Sequence, residues 1–188
     1  MKRQISFGEY RTIDLALFAV IMCVSETMLV VAATKWFADQ LYTVSIVGAV
    51  TAIVLMRWGS YAAIHAALGG LVFALVSHGS IQQTAIYCIG NLFSMFLLIP
   101  RKLLGPERIR KDGVLSVCFG LGTLLLMQAG RAITALCLGN EFSRCLGFFT
   151  TDTLSLLFVG VIVWIARRLD GIFEDQKHYI LRVNNAED

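Results

Sequence analysis

The sequence predicts an all-α integral membrane protein of six transmembrane helices with both termini cytoplasmic. Three observations carry this reading. The first is composition: 57% of the 188 residues are apolar and only 15% charged, with a mean hydropathy of +0.71. Soluble domains run near about 45–50% apolar and about 25% charged. The second is a set of long apolar runs, and the third is an alternation of basic loops between them. A membrane helix needs roughly 20 apolar residues, so six would use about 120–130 of the chain. That excludes a large soluble catalytic domain, intrinsic disorder, a collagen helix and a disulfide-stapled module.

The first run covers 15–37 and is interrupted by Glu26 and Lys35. The second, 41–56, stops at Arg57-Trp58-Gly59, and the third, 60–76, ends in Ser77-His78-Gly79-Ser80. Both are short, and the Gly/Ser between them reads as a turn. The fourth, 81–99, is closed by Pro100, which does not continue a helix cheaply. The fifth and sixth cover 113–138 and 146–166. The membrane domain is thus expected over 1–170, followed by a polar tail at 171–188 that forms a short surface helix or frays.

Orientation follows from the basic residues. Lys2, Arg3 and Arg11 precede the first span, Arg57 follows the second, Arg101, Lys102, Arg108, Arg110 and Lys111 follow the fourth, and Arg167-Arg168 closes the last. The intervening loops carry Lys35 with Asp39, then only His78, then Glu141 with Arg144. By the positive-inside rule both ends are cytoplasmic, in a multi-pass protein of the cell membrane. The basic loop 101–111 reads as topogenic and phosphate-facing. A net charge of +3 is too small to imply nucleic-acid binding. The amino end does not read as a signal peptide, because its apolar run is too long for an h-region.

Chemistry-bearing motifs are few. Cys23, Cys88, Cys118, Cys137 and Cys145 form no C-x-x-C pair, which argues against a metal or redox site; Cys137 and Cys145 flank one short loop, and a disulfide between them stays open. No P-loop, H-E-x-x-H or G-x-S-x-G occurs, so no nucleotide cradle, zinc-protease helix or serine elbow is expected. His65 and His78 stand at different depths, which disfavours a haem pair, and His65 reads as a hydrogen-bonded interior histidine. No enzyme activity, metal or cofactor is expected.

Ionisable groups inside apolar runs default to functional hypotheses. Glu26, Arg131 and Asp152 lie ~13, ~12 and ~9 Å below the outer ends of their helices at 1.5 Å per residue, so all three share one level. Gln83, Tyr87 and Asn91 are four apart on one helix face, Gln128 and Arg131 three apart, and Asp152 and Ser155 three apart. Three polar stripes at one depth predict a substrate pocket open to the outside. The plainer alternative is that Arg131 pairs with Glu26 or with Asp152, while Asn91 and Gln128 bond helices together. An arginine beside two carboxylates suits a zwitterion, whereas an internally paired Arg131 leaves a nearly neutral site for a flat heterocycle. Tyr87, Phe148, Phe149 and Trp36 are candidate stacking partners, and Trp36 reads equally as an interfacial anchor.

Small residues mark the inner halves of the first three spans. Ala62, Ala66 and Gly70 recur at spacing four beside a second stripe of Gly59, Ala63 and Ala67, and the first span carries Ala16, Ala19 and Cys23. Such stripes let another helix approach closely, within the protein or from a partner.

Taken together, the short spans, the small-residue inner face and the polar outer pocket resemble the substrate-binding S component of energy-coupling factor (ECF) vitamin transporters. Met56-Arg57-Trp58-Gly59-Ser60-Tyr61-Ala62-Ala63, continuing to Gly69-Gly70, resembles the family's second-to-third-span region. Ile86-Tyr87-Cys88-Ile89-Gly90-Asn91 sits where its fourth span has a Gly-containing run. The resemblance implies capture of a vitamin-like molecule from outside, docking through spans one to three onto a transmembrane coupling subunit, and toppling driven by two cytoplasmic ATPases. It departs from the family in the first span, where Ala19 is followed by Cys23 in place of an Ala-x-x-x-Ala pair. The rival readings are a proton-coupled secondary transporter using Glu26 or Asp152, and a structural or assembly subunit. The halves show no inverted repeat, which counts against the former.

Overall fold

The computed structural model describes residues 6–36 and 43–187, and every regular element among them is helical. Lys2, Arg3 and Asp39 of the charge argument, and the ends of the first two expected spans at 37 and 41–42, lie outside the described residues. Helix α1 (Phe7–Lys35) begins at a capping box: Ser6 Oγ accepts from Glu9 N at 3.2 Å, and Glu9 Oε2 accepts from Ser6 N at 2.9 Å. These contacts satisfy two backbone donors that a helix start otherwise leaves open. At 29 residues α1 is about 43 Å long, enough to cross a bilayer.

Helices α2 (Val47–Trp58) and α3 (Ala62–Val76) are joined by a 3₁₀ turn over Gly59–Tyr61. Gly59 has φ +60°, a left-handed conformation that glycine adopts without steric cost. The two limbs fold back on each other: a Cβ on Gly69 would stand 2.4 Å from a Val47 methyl. All of α2 from Val47 to Arg57 is buried, which makes it the central post of the bundle.

Helix α4 (Ile81–Asn91) passes through a 3₁₀ stretch (Leu92–Leu97) into α5 (Leu98–Leu104), and α6 (Pro106–Lys111) follows. Pro100 therefore does not close this helical run, contrary to the sequence expectation. The tighter 3₁₀ turns restart the helix, so Pro100 falls in the first turn of α5, where its missing N–H costs nothing. Helix α7 (Gly113–Cys137) is capped by Asp112, whose Oδ1 accepts from Val114 N and Leu115 N at 2.8 and 3.2 Å.

The expected sixth span at 146–166 is instead two helices, α8 (Phe142–Thr150) and α9 (Thr153–Ala166). Threonine hydroxyls at the break bond back to the preceding turn, Thr151 Oγ1 to Gly147 O and Thr153 Oγ1 to Thr150 O, both at 2.8 Å. Such local bonds compete with helix continuation.

Among the described residues, five helical stretches are long and apolar enough to cross a membrane: Phe7–Lys35, Val47–Val76, Ile81–Leu104, Gly113–Cys137 and Phe142–Ala166. The sequence count of six differs because α2 and α3, 12 and 15 residues long, form one continuous run bent at Gly59.

The tail is more than a surface segment. Phe173 and Gln176 are fully buried, and Gln176 accepts from Tyr10 OH at 2.9 Å before helix α10 (Gln176–Glu187) continues outward. Asp175 pairs with Arg101 and Glu174 with Arg110, each at 2.6 Å. Beneath them Arg57 donates Nε and Nη2 to Asp14 at 2.9 and 2.6 Å. Its Nη1 bonds the carbonyls of Gly171 and Ile172, and Trp58 Nε1 donates to the same Asp14 at 2.5 Å. The sequence reading treated Arg57 as a topogenic loop charge; here it is the buried tie between α1, α2 and the tail.

Candidate functional site

At the other end of α2, ten residues from Arg57, helices α1, α3, α4, α7, α8 and α9 converge on a polar cavity. Two glycines make the convergence possible. A Cβ on Gly130 would stand 2.2 Å from Gly90 O, and one on Gly90 would stand 2.5 Å from Arg131 N, so α4 and α7 cross almost backbone to backbone. Gly130→Ala is expected to separate them and cost about 1–3 kcal/mol, read as a lower melting temperature in detergent.

That crossing sets Arg131 against Asn91. Arg131 Nε donates to Asn91 Oδ1 at 2.8 Å, and Asn91 Nδ2 donates to Ala66 O at 2.9 Å. Arg131 Nη1 donates to Asp152 Oδ2 at 3.2 Å, and its Cζ lies 4.7 Å from the Tyr87 ring centroid. Arg131 thus chooses Asp152 over Glu26. Asp152 Oδ1 accepts from Ser155 Oγ. Ser155 Oγ in turn accepts from Ser45 N at 2.9 Å.

Glu26 has a different environment. It is buried, and its Oε2 accepts from Ile46 N at 3.0 Å, while Oε1 has no hydrogen-bond partner. Residues 43–46 therefore form a short strap over the cavity, held by Glu26 on α1, by Ser155 on α9 and by Thr151, whose carbonyl accepts from Thr43 N at 2.9 Å. Phe73, Tyr87 and Phe148 supply an aromatic wall, with ring centroids 4.4 Å apart for Phe73–Tyr87 and 6.0 Å for Tyr87–Phe148.

Glu26, Tyr87, Asn91, Arg131 and Asp152 all line this cavity, so five of the eight expected pocket residues are brought together. Ser155 stands directly behind Asp152. Gln83 does not join them: it sits at the start of α4, its backbone N bonded to Ser80 Oγ at 3.1 Å. Gln128 is buried one turn from Arg131, neither of its amide atoms has a partner, and it is not among the lining residues. Phe149 and Trp36 lie outside the cavity, and Trp36 is 75% exposed. Sequence reasoning does not mark Phe73, Thr43 and Ser45, which lie inside the apolar runs 60–76 and 41–56; no spacing rule singles them out.

The cavity differs from expectation in one respect. It is a narrow, partly open space of about 20 Å³, room for about one water, with the strap and the aromatic wall narrowing the expected mouth.

The small-residue stripe on α3 also has its partner inside the molecule. Ala62 and Ala66 are fully buried, and a Cβ on Gly70 would stand 2.6 Å from the Tyr87 carbonyl. The helix they admit is α4, so in this arrangement the stripe is not open to a second protein. On α1, Ala16 is exposed while Ala19 and Cys23 are half-buried. His65 Nε2 lies 3.0 Å from Leu15 O, as an interior histidine should. Cys137 and Cys145 are separate thiols, and among the described residues no group of three or more His, Cys, Asp or Glu side chains is placed to hold a metal.

Comparison of the chain with family models, with curated proteins and with solved structures finds no match. What the molecule is follows from its own helices, which among the described residues include five apolar stretches each long enough to span a bilayer. It is a multi-pass protein of the cell membrane.

Proposed function

We propose that this protein is a solute-binding subunit of a membrane importer, of the ECF S-component type, which captures a vitamin-like small molecule in the cavity lined by Glu26, Asn91, Arg131 and Asp152. The observation that carries the reading is the arrangement around Arg131. One interhelical ion pair would suffice to neutralise a buried charge, yet here a second carboxylate, an asparagine and three aromatic rings share the same space. Buried ionisable groups in a membrane protein are costly unless used, and ligand sites combine an apolar wall with a few convergent polar groups.

In this reading a ligand larger than water displaces the strap at 43–46, whose attachments to Glu26, Thr151 and Ser155 are few. The chain then crosses the membrane six times, with α2 and α3 as separate passes and both termini cytoplasmic. The face of α1 carrying Ile13, Leu17, Val20 and Val24, each more than half exposed, offers the contact for a coupling subunit beside Ala16, Ala19 and Cys23. Energy would come from separate ATPase chains, since this one carries no P-loop.

The proton-coupled alternative has one observation in its favour, the unpartnered Oε1 of Glu26. Purification of the tagged protein from its own membrane in mild detergent separates the two. The importer reading predicts a complex containing a larger membrane subunit and two nucleotide-binding chains. A protein that purifies alone and takes up solute in liposomes under a pH gradient supports the alternative.

A further inference from the structure

The cavity holds more acidic side chains than basic ones. Among its lining residues stand two carboxylates, Glu26 and Asp152, against one guanidinium, Arg131. Arg131 already has a carboxylate and an amide partner, and Asp152 has both Arg131 and Ser155. Glu26 is 1% exposed, and its Oε2 accepts the Ile46 backbone N–H. Its Oε1 is buried without any partner, and a buried acceptor left unmade costs free energy comparable to a lost hydrogen bond. The rings of Phe73, Tyr87 and Phe148 stand in the same cavity, and aromatic faces attract cations.

We infer that the cargo carries a positively charged nitrogen, which seats on Glu26 Oε1 against this aromatic wall. The inference rests on the solute-binding reading and narrows it to cationic or amine-bearing molecules. An anionic cargo would meet the Glu26 carboxyl group, and a neutral one would leave Oε1 without a charged partner. The Arg131–Asp152 pair is then the constant part of the binding site, and Glu26 is its selective element.

The test uses three probes of similar size on the full-length protein in detergent: benzylammonium, benzyl alcohol and benzoate. Binding is read by thermal shift and titration. Benzylammonium alone is expected to stabilise the wild type, and Glu26→Gln is expected to weaken its binding about 30-fold or more, the affinity equivalent of losing one partner of a buried charge pair. Gln is isosteric and keeps the acceptor for Ile46 N, and the variant's melting without probe checks its fold. Independently of any variant, the mass and composition of a co-purified molecule should include a basic nitrogen. Equal or stronger binding of benzoate or benzyl alcohol, unchanged binding to Glu26→Gln, or a co-purified molecule without a basic nitrogen overturns the charge inference and leaves the solute site standing. No response to any probe and no co-purified molecule overturns both.

Discussion

Arg131→Ala is expected to be the most damaging single change in the membrane-embedded half of the protein, lowering stability by about 3–5 kcal/mol, the range for removing one partner of a buried ion pair. Arg131 and Asp152 are 5% and 4% exposed. The truncation leaves Asp152 charged without its counter-ion and Asn91 Oδ1 without its donor. It also removes the cation over the Tyr87 ring. Asp152→Ala should cost a similar amount for the mirror-image reason. The informative variant is the double change Arg131→Met with Asp152→Leu. Replacing a buried pair by apolar groups of similar volume is often neutral or stabilising, so the double variant should melt near the wild type. If the residues form a ligand site, it should nevertheless bind no solute. A structural pair predicts recovery of both properties. Thermal melting in detergent beside a binding assay distinguishes the two.

The second large effect is expected at the opposite end of α2. Arg57→Ala should cost about 3–5 kcal/mol by the same principle, because it strands Asp14 and releases two tail carbonyls at once. It should also expose the tail. Phe173 is buried against Phe119 in an edge-to-face contact at 6.3 Å, and loss of the Arg57 tie frees the segment that carries it. Limited trypsin digestion after Arg168 or Lys177 should accelerate in Arg57→Ala. Asp14→Asn should have a smaller effect, since it leaves Arg57 bonded to the tail. Equal protease resistance in wild type and Arg57→Ala would show that the part-buried ion pairs, Arg101–Asp175 and Arg110–Glu174, hold the tail without it.

How much of this was readable beforehand depends on range. Glu26, Arg131 and Asp152 were found because a charge inside an apolar run is conspicuous and because 1.5 Å per residue fixes its depth. Tyr87 and Asn91 followed from helical spacing on the same face. The same spacing also selects Gln83 and Gln128, which are not among the residues lining this cavity. Periodicity names a face and not the neighbour it meets. The α3 stripe shows this again: Ala62, Ala66 and Gly70 do admit a close helix, and it is α4 of the same chain. Asp14 escaped notice because it precedes the first apolar run by one residue, and Arg57 because a loop arginine is explained by topology alone. Their pairing joins positions 43 residues apart, which no local signal encodes. The strap at 43–46 was invisible for the same reason. Its significance lies in Ser45 and Ile46 N–H groups reaching Ser155 and Glu26 across the fold.

The central claim is that the cavity around Arg131 binds a solute. Native mass spectrometry of the purified protein, wild type beside Tyr87→Ala, tests it most directly. Tyr87 is suited to the comparison because it stacks on Phe73 at the cavity wall and belongs to no ion pair. The account predicts a second wild-type peak displaced by the mass of one small molecule and absent from the folded variant. A single unliganded peak in both, with no thermal shift from a library of vitamin-like compounds, would contradict it and leave the Arg131 cluster as interhelical scaffolding.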